Sequence, residues 1–179
     1  VQFEQVKPMM DCFQSKFGTV ETQYILIEPN PNLSSIVQKN IKDATLETRT
    51  QLMTGLLGGK RSGKDEIWIN PKNYLASGLH QTKGAKPYTV PYLDLLKIIG
   101  DRDIDLMKID IEGGEFEFIP ANLEVLSQVQ LLFMELHEAS DKKHQKILSL
   151  LRSIGLNMVA DPLEANGQQL MIFQRKTSF

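Results

Sequence analysis

Cysteine is almost missing from this chain of 179 residues, with Cys12 alone present. A single thiol excludes an internal disulfide framework. Cys12 lies beside an apolar stripe and reads as a buried core thiol rather than a nucleophile. No excess of positive charge exists either. The formal net charge is −2 and no run of Lys or Arg makes a basic stripe, so no nucleic-acid partner is expected. Long hydrophobic runs are lacking, and no segment reaches the length of a membrane span. Repeats, low-complexity tracts and linkers are also missing. The chain opens at Val1, without a charged-then-apolar leader.

What remains is 41% hydrophobic and 23% charged. Those proportions suit one globular domain over residues 1–179, large enough to bury a core without metal or disulfides. Phe3, Val6, Met10, Phe13 and Phe17 recur at helical spacing, with Gly18 as a stop. Gln23–Ile27 is a short apolar run, expected as a buried strand. Asn30 and Pro31 then supply an N-cap and a first-turn proline. Leu33, Ile36, Val37 and Ile41 form the apolar stripe of the helix that follows.

Residues 49–57 and 66–70 are expected as strands, with a turn from Gly58 to Lys64 between them. Residues 73–87 carry the weakest pattern and are expected as a long loop. Leu93, Leu96 and Ile99 predict a short helix closed by Gly100. Strands are expected at 104–111 and 129–136. A clear helix carries His144, Ile147, Leu148, Leu151 and Ile154, with Gly155 at its end. Residues 157–160 and 169–174 read as two last strands, turned by Asn166-Gly167.

Strands alternating with helices imply an α/β fold, a mostly parallel sheet with helices on both faces. The closing pair would form an antiparallel hairpin. In open sheets of this class the ligand lies beyond the carboxyl ends of the strands. That rule singles out Glu28, the segment at Leu56, residues 110–115 and residues 135–137.

Glu28 follows directly on an apolar strand, where an acid can accept two hydrogen bonds from a ribose diol; the plain alternative is a solvated loop acid. Lys108, Asp110 and Glu112 alternate along one strand face, ahead of Gly113-Gly114. Such charges are costly in a covered strand, so they belong near its end, as a cleft group or as a structural Lys–Asp pair. Glu135 and His137 share a face of the next strand. With Asp110 and Glu112 they could orient a hydroxyl and take its proton, or hold a divalent metal. No tight metal-binding motif is present, and no metal is assigned. Residues 58–65, Gly-Gly-Lys-Arg-Ser-Gly-Lys-Asp, fall short of a phosphate-binding loop. The motif needs Ser or Thr after its Lys, where Asp65 stands. His80 and His144 read as loop and helix-surface residues.

Three stretches now stand in order: an apolar strand with Glu-Pro-Asn at 28–30, Leu-Met-Lys-Ile-Asp-Ile-Glu-Gly-Gly-Glu-Phe at 106–116, and Leu-Phe-Met-Glu-Leu-His at 132–137. This order resembles class I methyltransferases of the FkbM type, and among them the animal methyltransferase-like branch, over roughly residues 20–140. The resemblance implies a Rossmann-like sheet, S-adenosylmethionine as cofactor, and O-methylation of a small-molecule or glycan hydroxyl. It implies Glu28 on the cofactor ribose, with Asn30 beside it, Leu56 and Leu57 at the adenine, and Asp110 and Glu112 nearby. Asp110, Glu135 and His137 would serve the acceptor side. One departure stands out: no Gly-x-Gly loop precedes Glu28, so the family's first strand and glycine-rich loop are expected to be absent. A binding module that has lost activity, or a metal-dependent enzyme using Asp110, Glu112, Glu135 and His137, are the rival readings.

Overall fold

The computed structural model of the chain describes residues 22–70, 73–78, 81, 83–137, 141–159, 163–165 and 168–176. The expectations for the first helix, Cys12, His80 and the Asn166-Gly167 turn lie outside them. Two compact units divide the chain, Val1–Leu56 with Lys64–Pro91, and Leu57–Gly63 with Tyr92–Phe179.

In the first unit, β1 (Tyr24–Ile27) pairs in parallel with β2 (Thr50–Met53), from Tyr24 opposite Thr50 to Ile27 opposite Met53. Between them runs α1 (Pro31–Asp43), capped as expected: the Asn30 side chain accepts from the Asn32 N–H, and Pro31 occupies the first turn. Ile41 is buried, but Ile36 is 49% exposed, so it leaves the apolar stripe assigned to it. Five residues at about 100° each set Ile36 some 140° around the axis from Ile41.

The same unit holds β3 (Lys64–Asn70), β4 (Asn73–Gly78) and β5 (Lys86–Pro91), ordered β4-β3-β5 with antiparallel pairing throughout. Residues 73–87, expected as a loop, therefore supply one strand and the start of another. Pro87 and Pro91 hid β5, since proline cannot donate to a sheet ladder. At the edge of a sheet that cost disappears, and both prolines lie there. Val90 on β5 and Ile67 and Ile69 on β3 are buried.

In the second unit, α2 (Leu95–Ile99) ends at Gly100, whose φ of +62° suits glycine. The elements that follow are β6 (Ile104–Ile109), α3 (Glu115–Ala121), α4 (Leu123–Leu126), β7 (Val129–Leu136), α5 (Asp141–Ser153), β8 (Leu156–Met158), β9 (Leu163–Ala165) and β10 (Gln168–Arg175). Their sheet runs β6-β7-β10-β8, with β9 also on β10. β6 and β7 are parallel, while β10 is antiparallel to β7, β8 and β9. The expected antiparallel pairing of residues 157–160 with 169–174 is found as β8 on β10, and β9, which also pairs with β10, is a strand that the sequence reading lacked.

The α/β class and the parallel pairs thus stand, and antiparallel pairing extends beyond the hairpin to β3–β5. Leu132, Met134 and Leu136 on one face of β7 are wholly buried, as are Val125, Leu126, Ile119 and Leu151. Each such side chain contributes about 1.5–3 kcal/mol by leaving water. This core fixes where β6 and β7 end, and hence what stands at their carboxyl edge. Among the described residues no helix is long and apolar enough to cross a membrane.

Candidate functional site

Parallel register sets the site. Ile109 on β6 lies opposite Met134 on β7, and Lys108 lies opposite Phe133. One step beyond, Asp110 and Glu135 leave the sheet side by side. Alternation buries Ile109, Met134 and Leu136 and turns Lys108, Asp110, Glu135 and His137 to the other face. Two strands about 4.8 Å apart then bring these groups within reach of one another.

The contacts follow. Lys108 Nζ lies 2.9 Å from Asp110 Oδ2 and 3.5 Å from Glu135 Oε1, with all three side chains at most 26% exposed. One ammonium therefore bridges the two strand-end carboxylates. Asp110, Glu135 and His137 each offer a donor atom, all within 4.8 Å of one another. The expected approach of Asp110 to His137 is met.

Asp110 and Glu112 were expected to alternate along the strand. β6 instead stops at Ile109, and Glu112 falls in the following turn at φ +51° with its side chain 58% exposed. Gly113, at φ +94°, continues that left-handed turn. Gly114 packs against Ile111, where a Cβ would come within 3.2 Å of the Ile111 carbonyl oxygen. A chain that reverses so tightly cannot keep Glu112 on one strand face with Lys108 and Asp110. Glu112 still meets His137: its Oε2 lies 3.2 Å from Nε2.

The residue that sequence reasoning left without a role is Glu115. It opens α3 and is 0% exposed. Its Oε1 accepts the backbone N–H groups of Ile111 and Gly113 at 3.2 and 3.3 Å, and lies 3.1 Å from His137 Nδ1. An acid in a first helical turn is favoured by the helix dipole. That signal was present, directly after two glycines, but burial is not visible in a sequence.

His144 is more than a surface residue. Its ring stacks on Phe116 at 5.9 Å between centroids, and its Nε2 lies 3.4 Å from the His137 carbonyl oxygen. The backbone of His137 is thus approached from α5 while its ring is approached from α3.

Of the cofactor residues expected from sequence, Glu28, Asn30 and Leu56 lie in the first unit, and Leu57, Asp110 and Glu112 in the second. Glu28 follows β1, is 7% exposed, and accepts the Asn30 N–H through Oε1 at 2.8 Å. Its own N–H bonds the Met53 carbonyl, tying the end of β1 to β2. Asn30 is 2% exposed and its side-chain oxygen caps α1. Leu56 is buried, with its N–H on the Pro91 carbonyl; Leu57 begins the second unit and is half-buried.

The methyltransferase FkbM domain family matches residues 5–158 of the chain. Among solved structures, the methyltransferase FkbM from Methylobacillus flagellatus KT aligns with a TM-score of 0.57 at 16% identity. That alignment takes in 93% of this chain and 40% of that one. The chain therefore spans well under half the length of this neighbour. Two structures of the METTL16 methyltransferase domain also align, one lacking its N-terminus, with TM-scores of 0.45 and 0.44 at 9% and 13% identity. These cover 85% and 86% of this chain, and 61% and 50% of theirs. No curated protein matches the chain.

Proposed function

The chain belongs to the methyltransferase FkbM family, and from that premise we propose that it serves an S-adenosylmethionine-dependent methyltransferase acting on a hydroxyl of a small molecule or glycan. The observation that carries the acceptor half is His137, set at the carboxyl end of β7 within 4.8 Å of donor atoms on Asp110 and Glu135.

For the cofactor, the test is whether a shielded acid closes a strand. Glu28 meets it: the carboxylate is almost wholly buried at the end of β1 and is pinned by the Asn30 N–H. A ribose diol needs such an acceptor, since charge-assisted hydrogen bonds are the strong ones. Glu28 would take the ribose hydroxyls, with Asn30 holding its turn and Leu56 and Leu57 beside the adenine. When bound, S-adenosylmethionine supplies an electrophilic methyl group on a sulfonium sulfur.

The remaining chemistry belongs to the protein. His137 Nε2 takes the proton of the acceptor hydroxyl as its oxygen becomes the nucleophile. Asp110 and Glu135 accept hydrogen bonds from the acceptor and orient it, while Lys108 holds both carboxylates in place. The half-exposed Glu112 can swing aside from Nε2 to admit the acceptor. That one family match runs from residue 5 to 158, through both compact units, supports reading them as a single methyltransferase-like domain.

The test is methyl transfer by the enzyme in its full natural chain, assayed with a labelled methyl donor across sugar and small-molecule hydroxyl acceptors. His137→Ala should lower turnover about 10²–10⁴-fold, the range of a general base. Unchanged turnover with every acceptor used by the parent enzyme removes His137 from the chemistry.

A further inference from the structure

His137 is held on both ring nitrogens, but by unlike partners. Glu112 at Nε2 is 58% exposed on its side chain, whereas Glu115 at Nδ1 is 0% exposed. Glu115 Oε1 also accepts two backbone N–H groups from the turn that separates β6 from α3. The same atom is thus fixed from one side by the chain's own backbone and presented on the other to the imidazole.

We propose that Glu115 is the positioning carboxylate of this site, which keeps the ring hydrogen of His137 on Nδ1 and leaves Nε2 as the nitrogen that serves the acceptor. The inference rests on His137 acting as the base, and it adds a residue to which the sequence reading gave no task. Glu115 touches neither acceptor nor cofactor; it acts through His137.

The argument is one of donors and acceptors. A carboxylate oxygen that already receives two N–H groups is an acceptor, so the ring nitrogen 3.1 Å away must be the donor. Nδ1 therefore carries hydrogen in the neutral ring as well as in the charged one. Nε2 meets Glu112 when it too carries hydrogen, and meets an acceptor hydroxyl when it does not. A buried acceptor on the far nitrogen fixes both tautomer and ring orientation, the part such partners play for functional histidines generally. The backbone hydrogen bonds give the device its rigidity. Moving Glu115 would break the turn at Ile111 and Gly113, so the ring is registered to the end of β6. His144 Nε2, 3.4 Å from the carbonyl oxygen of His137, meets the backbone of the same residue.

The experiment reads the tautomer directly, without a methyl acceptor. The chain has three histidines, so long-range proton–nitrogen spectra of the protein labelled with ¹⁵N-histidine are assignable, with His137→Gln identifying the signal. At a pH where the ring is neutral, the parent protein should show hydrogen on Nδ1. Glu115→Gln keeps a side-chain oxygen for the same three donors and should keep that tautomer. Glu115→Ala removes the oxygen and should shift the signal toward the Nε2–H form that imidazoles otherwise prefer. The same variant should lower kcat about 10–100-fold, with the KM for the methyl donor little changed.

A parent spectrum with hydrogen on Nε2 overturns the proposal, and so does a Glu115→Ala spectrum that matches the parent. Should Glu115→Ala not fold, the parent and Glu115→Gln spectra still decide. A tautomer that shifts while turnover stays level would keep Glu115 as the group that holds hydrogen on Nδ1, but it would overturn the catalytic use of that tautomer and with it His137 as the base.

Discussion

Lys108 Nζ stands 2.9 Å from Asp110 Oδ2, and the Lys108 side chain is only 14% exposed. The same ammonium reaches Glu135 at 3.5 Å. It lies among the groups that a divalent cation would coordinate, since Asp110 and Glu135 are two of the three candidate ligands. A resident ammonium already offsets one of their two negative charges, and a metal would have to displace it.

Removing that ammonium leaves two shielded carboxylates facing each other. Lys108→Met, which keeps most of the apolar stem, should destabilise the protein by about 1–3 kcal/mol, because buried polar groups lose their partner. Urea unfolding monitored by far-ultraviolet circular dichroism measures this. A midpoint equal to that of the parent would show the bridge to be dispensable.

Chelation separates the two uses of the cluster. Methyl transfer by the full natural chain should persist after treatment with EDTA and dialysis, because Lys108 supplies the positive charge. Activity lost on chelation and restored by magnesium or manganese would establish a metal in its place.

How far could these relationships be seen in the sequence? The helix start at Asn30-Pro31 and the whole of β7 were legible, because capping chemistry and alternation are local signals. The shared face of Asp110, Glu135 and His137 was legible too, from two-residue spacing at two strand ends. β5 was hidden by Pro87 and Pro91, which are permitted only because the strand lies at an edge, a fact of tertiary pairing. The end of β6 at Ile109 was overrun by two residues, since Ile111 continues the apolar alternation. Only the left-handed turn at Glu112 and Gly113 breaks it. Glu115 was beyond reach, as its role depends on a carboxylate folding back to a histidine 22 residues along the chain.

Glu28 offers a separate test of the cofactor half. Glu28→Ala should weaken S-adenosylmethionine binding by about 1–3 kcal/mol through loss of charge-assisted hydrogen bonds. Glu28→Gln should retain an acceptor for the Asn30 N–H and so preserve the turn while removing the charge. Calorimetry on the full natural chain is the measurement. Equal affinity in both variants and the parent would take Glu28 out of the site.

The last expectation concerns the end of the sheet away from the site. Arg175 on β10 spends its guanidinium on three main-chain carbonyls. Nε donates to Val129 at 3.0 Å, and the two terminal nitrogens donate to Ile154 at 2.7 Å and Leu126 at 3.1 Å. One side chain thereby joins the end of α4, the start of β7 and the residues after α5. The turn it braces passes through Gly155, at φ +88°, where an added Cβ would come within 3.1 Å of that same guanidinium. Lysine carries the charge but not the planar fork, so it cannot reach three carbonyls in fixed directions. Arg175→Lys should therefore cost about 1.5–3 kcal/mol, the scale of hydrogen bonds to a charged group. Gly155→Ala should cost about 1–2 kcal/mol from the left-handed backbone alone. Because both changes act on one turn, their effects in the double variant should fall short of additive. Chemical denaturation of the four proteins closes the cycle. Strict additivity would mean that Arg175 and Gly155 act independently, and that the guanidinium does not brace the turn.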